Sequence, residues 1–292
     1  MTATLICLGY GYVAARVAAR ARAAGYAVVG TTRGGEKAAR MQEDGVAPIV
    51  WDGAGALPAE LFDDAAGVLV STPPGPDGCP ALAAAQDALA ARGPKTRWIS
   101  YLSTNGVYGD HGGAWVDETA MLRPTSPRAR RRIEAEARWT ELGVAHAVPA
   151  VIFRLPGIYG PGRSALDTVR AGAARRVFKE GQVFSRAHVD DIAAAVFASF
   201  ESPGAGDLFN VADDEPAPPQ DVVAYACRLL GVEPPPLVPI DEADLSEMAR
   251  SFYADNKRVR NTLMKEALGL ALQYPTYRDG LDAIFAAEGA RV

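Results

Sequence analysis

The feature that most constrains the fold is a glycine-rich turn near the start of the chain. Gly9-Tyr10-Gly11-Tyr12-Val13-Ala14 follows a short apolar run, Thr4–Leu8, and opens a segment of helix formers, Tyr12–Ala24. In a strand–turn–helix unit of this form, the first glycine permits a tight turn, the second lets backbone approach a pyrophosphate, and the alanine lets the helix pack close to the strand. The turn therefore predicts a dinucleotide site whose cofactor-binding residues include Gly9, Tyr10, Gly11, Tyr12 and Val13.

Apolar runs alternate with helical segments along the rest of the chain, a pattern typical of a parallel sheet covered on both faces. Further strands are predicted at Ala27–Thr32, Val46–Trp51, Gly67–Ser71, Arg97–Leu102 and Ala150–Leu155, and further helices at Glu36–Asp44, Ala81–Ala91, Arg128–Leu142, Val189–Phe200, Gln220–Leu230 and across much of 241–287. We predict a doubly wound α/β (Rossmann) domain over residues 1–165, to which 187–215 return. Residues 166–186 and 216–292 are expected to form a smaller, mostly helical substrate lobe.

Composition argues against several classes of partner. The chain has 292 residues, of which 49% are hydrophobic, and a formal net charge of −5, a sign that does not attract nucleic acid or anionic membranes. The longest apolar run, Ile192–Phe200, is half of the roughly 18 residues that a membrane span needs. Three widely separated cysteines match no zinc pattern and suit a reducing compartment. We expect a cytoplasmic monomer or homodimer without a metal, acting on a small molecule.

The end of the second predicted strand bears on which dinucleotide is bound. An NAD site usually places an acidic residue about 20 residues after the glycines, where it holds the ribose 2′-hydroxyl. This chain has Thr31-Thr32-Arg33 there, and a hydroxyl with a guanidinium suits a 2′-phosphate. Thr32 and Arg33 therefore favour NADP over NAD, the alternative being that Arg33 is only a solvated surface residue. Cofactor contacts are also expected after the third and fourth strands, from Asp52, Ser71, Thr72 and Pro73.

Four further segments, in this order and at these spacings, resemble the extended short-chain dehydrogenase/reductase family, the NAD(P)-dependent epimerase/dehydratase group. They are STNGVYGD at Ser103–Asp110, RLPGIYGPGR at Arg154–Arg163, RAHVDD at Arg186–Asp191 and FNVAD at Phe209–Asp213. The resemblance runs from the glycine turn to about residue 215. It implies hydride transfer to or from a nicotinamide, with proton transfer by a Ser or Thr after the fifth strand and a Tyr-x-x-x-Lys on the following helix.

The chain departs from that pattern at the tyrosine and the lysine. Thr104 matches the Ser/Thr position, but Arg128 and Arg132 stand where the tyrosine and lysine are expected. A guanidinium stays protonated at ordinary pH and cannot shuttle a proton, so these arginines either form a solvated helix face or bind an anionic substrate. A Tyr-x-x-x-Lys does occur at Tyr253 to Lys257, but its distance in sequence from the expected helix favours a chance match.

The remaining candidates leave the carboxyl ends of predicted strands. Thr104 and Tyr108 are the predicted catalytic residues. Tyr159, which also leaves the end of a strand, is a further candidate acid or base and is predicted at the substrate, where the resemblance also places Arg163 and Arg186. The alternatives are that the two tyrosines pack in their turns and that Arg186 or His188 orients a loop through Asp190 or Asp191.

These features predict an oxidoreductase or epimerase-like enzyme that lacks the usual relay and acts on a small polar substrate, such as an anion or a nucleotide-sugar-like molecule. A non-catalytic NADP-binding sensor is the alternative, and the missing relay favours it. The polar residues around the expected cleft favour the enzyme. A nucleotide-sugar epimerase with ordinary chemistry is weakened by the missing tyrosine.

Overall fold

The computed structural model describes residues 3–289, so residues 1, 2 and 290–292 of the predicted domains lie outside it. The strands are β1 Thr4–Leu8, β2 Ala27–Thr32, β3 Ala47–Val50, β4 Ala65–Val70, β5 Ile99–Thr104, β6 Trp115–Val116, β7 Ala150–Leu155, β8 Gly157–Tyr159, β9 Arg176–Phe178, β10 Arg186–His188, β11 Leu208–Asn210, β12 Leu237–Pro239 and β13 Arg258–Val259. The α-helices are α1 Tyr12–Ala23, α2 Gly35–Glu43, α3 Pro80–Arg92, α4 Pro127–His146, α5 Ala165–Arg170, α6 Val189–Glu201, α7 Pro219–Leu230, α8 Glu247–Phe252, α9 Thr262–Leu268 and α10 Tyr277–Gly289.

Within residues 3–289, seven strands form one parallel sheet in the order β11-β7-β5-β4-β1-β2-β3. The chain builds β1 to β3 outward in one direction and then crosses back to place β4, β5, β7 and β11 on the other side of β1. The strand order reverses beside β1, and ligands of open α/β sheets bind outside the carboxyl ends of the strands at such a point. The predicted doubly wound Rossmann fold is confirmed.

The central strands β4 and β1 are apolar except at Thr4 because helices cover both faces of the sheet. Leu5 and Cys7 of β1 pack in a core with residues of α1 and α6, whereas Ile6 and Leu8 pack in a second core with residues of α3 and α4. Successive residues of a strand point to opposite faces, so both cores hold β1 in place. The turn that follows Leu8 is thereby fixed at the carboxyl edge of the sheet.

Most predicted elements are present with boundaries close to those expected. The strands Thr4–Leu8, Ala27–Thr32 and Ala150–Leu155 have their predicted bounds, and the helix α6 begins at its predicted residue, Val189. The sequence patterns missed the short strands, among them β11, which completes the sheet. The sequence patterns also did not predict that β13 pairs with β6. This pairing places the carboxy-terminal segment near the carboxyl edge of the sheet.

No α-helix within residues 3–289 is both long enough and apolar enough to cross a membrane.

Candidate functional site

The first glycine of the turn is needed by the fold itself. Gly9 has a φ of +91°, and a Cβ added there would lie 2.8 Å from the Thr72 Oγ1 atom. Its N–H donates to Thr31 Oγ1 at 2.7 Å. The Ser71 hydroxyl donates to the Gly9 carbonyl, and the Thr72 hydroxyl to the Leu8 carbonyl at 2.9 Å. Ser71 and Thr72, predicted to contact the cofactor, therefore brace the turn that would hold it.

The second glycine leaves room for a ligand. Gly11 is extended and precedes the first turn of α1, where no side chain in the described part of the chain caps the helix. A Cβ at Gly11 would have Ser71 Oγ as its nearest neighbour, at 3.8 Å. Ala14 is fully buried against the strand, as the motif requires. The uncapped N–H groups and the open space above Gly11 are what a pyrophosphate needs.

Two aromatic residues of the same turn have different roles. The Tyr10 side chain is buried, and a Cβ on Gly30 would lie 2.9 Å from its ring. The Tyr12 hydroxyl donates to the Pro161 carbonyl at 2.9 Å. This bond ties the glycine turn to the loop that carries Arg163.

A basic edge, defined here as Arg33 and Lys37, lies beyond the end of β2. Thr32 is buried and Arg33 is exposed, while Gly34 precedes α2 and has no side-chain capping bond. Burial lowers the pKa of Lys37, and the neighbouring Arg40 and Arg33 charges lower it further. An anion bound here would offset the repulsion between these cations. Sequence reasoning missed Lys37, although its position four residues after Arg33 in TTRGGEK was the available signal.

Asp52 lies in the loop after β3. Its carboxylate accepts a hydrogen bond from the Ala54 N–H at 2.9 Å, so one of its oxygens already shapes the local turn. Pro73 is exposed after β4, at the same edge of the sheet.

A cavity of about 660 Å³ opens at the carboxyl edge beyond β5, and it is called the arginine cavity below. Among the residues that the structure describes, its titratable lining side chains are Arg128, Arg163, Arg175, Arg186, Tyr253, Asp255 and Lys257. Thr104, at the end of β5, also lines it. The Thr104 Oγ1 atom accepts a bond from the Gly106 N–H at 3.1 Å, which leaves the hydroxyl proton available. Three of the predicted residues, Thr104, Arg163 and Arg186, are thus brought together.

Tyr159 lies on a different cavity. It lines an adjoining cavity of about 650 Å³, together with Arg163 and Arg186, which border both cavities. Its side chain is 8% exposed and its hydroxyl donates to the Thr276 carbonyl at 3.3 Å. The structure therefore separates Tyr159 from Thr104.

Arg186 lies between the two cavities. Its Nη1 atom donates to the carbonyls of Phe184 and Ala217, at 2.8 and 3.0 Å. Burial lowers the pKa of Arg186, and the nearby Asp213 charge opposes that change. Burial also raises the pKa of Asp213 to about 8, against the effect of Arg186. Arg186 is thus a desolvated cation that faces Asp213.

Asp190 and Asp191, the two aspartates considered as partners of Arg186, contact other residues. Asp190 lies 3.7 Å from Arg16. Asp191 accepts bonds from the backbone N–H groups of Gln273 and Tyr274, at 2.7 and 3.0 Å. The alternative that Arg186 orients a loop through either aspartate is therefore wrong. The same alternative fits His188, whose Nδ1 atom accepts a bond from the Asp190 N–H at 3.2 Å and lies 3.7 Å from the Asp190 carboxylate.

Tyr108 is a core residue. It is fully buried, its hydroxyl donates to Asn210 Oδ1 at 2.8 Å, and it accepts a bond from Arg154 Nη1 at 3.0 Å. Arg154 in turn pairs with the buried Glu136 at 2.7 Å. The side chain packs in a small apolar core and does not line the arginine cavity. This position corrects the expectation that Tyr108 reaches a substrate, and supports the alternative that it packs.

The two arginines at the expected tyrosine and lysine positions are both engaged. Arg132 donates to the Tyr101 hydroxyl at 2.9 Å and to the Leu102 carbonyl at 2.7 Å, so it braces β5. Arg128 lines the arginine cavity, with its guanidinium 5.3 Å from the centre of the Phe252 ring. Arg128 and Arg130 are both exposed, as a solvated helix face requires, whereas Arg132 is half-buried and does not fit that alternative.

Tyr253 and Lys257 line the same cavity as Thr104. Lys257 donates to the Gly109 carbonyl at 2.9 Å and lies 3.5 Å from Asp255, and burial lowers its pKa. Tyr253 and Lys257 are distant from α4 in sequence, but they lie near the end of β5 in the folded chain because β13 pairs with β6.

The strand order and the uncapped glycine turn define a dinucleotide-binding Rossmann fold. The profile of the "NAD dependent epimerase/dehydratase family" matches residues 82–212. A solved structure described as a functionally unknown conserved protein from Silicibacter pomeroyi is 47% identical, with a TM-score of 0.91, over 98% of this chain and 99% of that one. Residues 82–212 of this chain thus form an NAD-dependent epimerase/dehydratase family domain.

More distant structures share the fold. The UDP-glucuronic acid 4-epimerase from Bacillus cereus in complex with NAD is 18% identical, with a TM-score of 0.78, over 99% of both chains. The dTDP-glucose 4,6-dehydratase from Bacillus anthracis in complex with NAD is 15% identical, with a TM-score of 0.78, over 99% of this chain and 97% of that one. A comparison with curated proteins finds no match.

Proposed function

We propose that this protein is an NADP-dependent oxidoreductase or epimerase-like enzyme that acts on a small polar, anionic substrate. The observation that carries the proposal is the arginine cavity, in which Thr104 and four arginines meet at the carboxyl edge of the sheet. The same edge carries the glycine turn. A cofactor site and a cationic cavity side by side are the arrangement that hydride exchange with a bound anion requires.

The charge of the cavity argues for an anionic substrate. The chain as a whole carries a formal charge of −5, yet four arginines line this cavity. Lys257 lies 3.5 Å from Asp255 and Arg175 lies 3.8 Å from Asp244, so among the described residues Arg128, Arg163 and Arg186 are the lining cations without a carboxylate at salt-bridge distance. Guanidinium groups bind carboxylates and phosphates through paired hydrogen bonds. A carboxylic acid, a sugar phosphate or a nucleotide sugar meets this requirement.

The residues of the turn fit a dinucleotide. The N–H groups at the start of α1 and the space above Gly11 would hold the pyrophosphate, and Thr32, Arg33 and Lys37 would hold a 2′-phosphate. When bound, the nicotinamide supplies or accepts a hydride. In the same cavity the Thr104 hydroxyl can donate to a substrate oxygen, and the arginines can orient the substrate's anionic group. The basic edge favours NADP over NAD.

The role of the basic edge is tested by Arg33→Ala. We expect the affinity for NADPH to fall by about tenfold to 100-fold, because a charge-assisted hydrogen bond contributes roughly 1.5–3 kcal/mol. The affinity for NADH, which has no 2′-phosphate, should change by less than about threefold. Calorimetric titration of both cofactors measures the two effects. Arg138→Ala, an exposed arginine on α4, is the control, and equal losses for NADPH and NADH would remove the proposed role.

The enzymatic activity is tested by NADPH consumption with a panel of carbonyl compounds. We expect 2-oxo acids or phosphorylated ketoses to be reduced at least about tenfold faster than neutral ketones of similar size, because the arginines would bind only the anions. A non-catalytic sensor is the second candidate, favoured by Arg128 and Arg132 standing where the relay is expected. Tight NADPH binding with no turnover of any panel compound would support the sensor.

A further inference from the structure

We propose that Tyr253 is the proton donor of this site and takes the place of the tyrosine that α4 lacks. The inference rests on the proposed function, and it assigns the group that moves the proton. Tyr253 follows α8 in the carboxy-terminal part of the chain, outside the segment that the family profile matches.

The geometry places a reachable hydroxyl in the cavity. Tyr253 is the one tyrosine, among residues 3–289, that lines the arginine cavity together with Thr104. Its side chain is half-buried, and its ring packs edge-on against Phe184 with the ring centres 5.3 Å apart. Across the described part of the chain, no protein group forms a hydrogen bond with the Tyr253 hydroxyl. By contrast, Tyr101, Tyr108 and Tyr159 have their hydroxyls engaged.

The other polar groups of the cavity are less suited to proton transfer. The arginines stay protonated at ordinary pH. Lys257 is held by the Gly109 carbonyl and by Asp255, and Asp255 also accepts a bond from the Thr125 hydroxyl at 2.9 Å. The Thr104 hydroxyl is too weak an acid to give up its proton alone, but it can donate a hydrogen bond to the same substrate oxygen.

The charges around Tyr253 suit an acid that is protonated at neutral pH. Burial raises the pKa of Tyr253, and the Arg186 guanidinium opposes that rise. Lys179 donates to the Tyr253 backbone carbonyl, and Asp255 and Lys257 line the same cavity. The phenol is therefore intact at pH 7, and the charge of the half-buried Arg186 guanidinium stabilises the phenolate left after proton donation.

The proposed step is the reduction of a carbonyl compound by NADPH. The Tyr253 O–H bond breaks and its proton passes to the carbonyl oxygen, while the carbonyl carbon gains a hydride from NADPH. The carbonyl compound would be reduced to an alcohol, and NADPH would supply the two electrons as the hydride and leave as NADP⁺. The Tyr253 phenolate then regains a proton from solvent through the open cavity.

Tyr253→Phe keeps the ring against Phe184 and removes only the hydroxyl. With the best anionic carbonyl compound of the panel, we expect kcat to fall by about 100-fold or more while KM stays within about threefold. The alkaline fall in kcat of the native protein, where Tyr253 ionises, should be absent from the variant. Tyr225→Phe, a tyrosine on α7 outside the cavity, should stay within about twofold. Retained kcat in Tyr253→Phe would overturn the assignment.

A second readout does not depend on turnover. The nicotinamide ring of bound NADP⁺ would bring a positive charge to the cavity, so it should lower the pKa of Tyr253, detected as tyrosinate absorbance that appears at a lower pH. The difference between free and NADP⁺-bound protein should vanish in Tyr253→Phe, whose NADP⁺ affinity should be unchanged. If NADP⁺ binds and that difference persists in the variant, the assignment to Tyr253 is wrong while the proposed function still stands. If neither NADP⁺ nor NADPH binds, both the assignment and the proposed function are wrong.

Discussion

Gly11→Val is expected to lower the affinity for NADPH and for NADH by about 100-fold or more, equivalent to about 2.7 kcal/mol. Gly11 is extended, a conformation that valine adopts readily, and the added Cβ would meet only Ser71 Oγ at 3.8 Å. The folded protein therefore accepts the side chain, whereas a pyrophosphate approaching the same backbone does not. Calorimetric titration measures the loss of binding, and thermal unfolding should show a folded protein.

The matched control is Gly204→Val, which adds the same side chain at a glycine with no other atom near its Cβ position. That variant should bind both cofactors like the native protein. Gly9 is unsuitable for this experiment because its positive φ and the nearby Thr72 would strain the fold of any variant. Native affinity in a folded Gly11→Val protein would show that no dinucleotide lies on the glycine turn.

Glu136→Gln is expected to lower the free energy of unfolding by about 3–5 kcal/mol. Arg154 is 5% exposed, and its guanidinium bonds both Glu136 oxygens, with the shortest contact at 2.7 Å. Glutamine keeps the size of the side chain but leaves the buried guanidinium without a counter-charge. The change would also disturb the Tyr108 and Asn210 side chains, which bond the same network.

Urea unfolding of Glu134→Gln is the control, because Glu134 is exposed on the same helix. It should change the free energy of unfolding by no more than about 0.5 kcal/mol. A Glu136→Gln protein within about 1 kcal/mol of the native value would show that the Arg154 charge is compensated in another way.

Local patterns predicted the strand, the turn and the helix of the glycine motif. The strand Thr4–Leu8 and the turn after it form one contiguous unit, so sequence spacing alone predicts which residues would face a pyrophosphate. Arg33 follows β2 directly, so its place at the edge of the sheet could be predicted in the same way. Thr104 was predicted to lie at that edge because the carboxyl ends of parallel strands share it.

The substrate half depends on contacts between distant segments, which spacing does not reveal. Tyr108 and Tyr159 both leave the ends of strands, yet one is held by Asn210 and Arg154 and the other faces a second cavity. Tyr253 reaches the cavity because the two-residue strand β13 pairs with β6, and neither strand has a pattern long enough to predict. Lys37 could have been found from its position in the first turn of α2, beside Arg33.

The most direct test is calorimetric titration of the native protein with NADPH and with NADH. The account predicts that both bind and that NADPH binds at least about tenfold more tightly, because Arg33 and Lys37 have a 2′-phosphate to hold only in NADPH. Equal or tighter binding of NADH would contradict the assignment of the basic edge to a 2′-phosphate. Absence of binding by both would contradict the proposal of a nicotinamide-dependent enzyme.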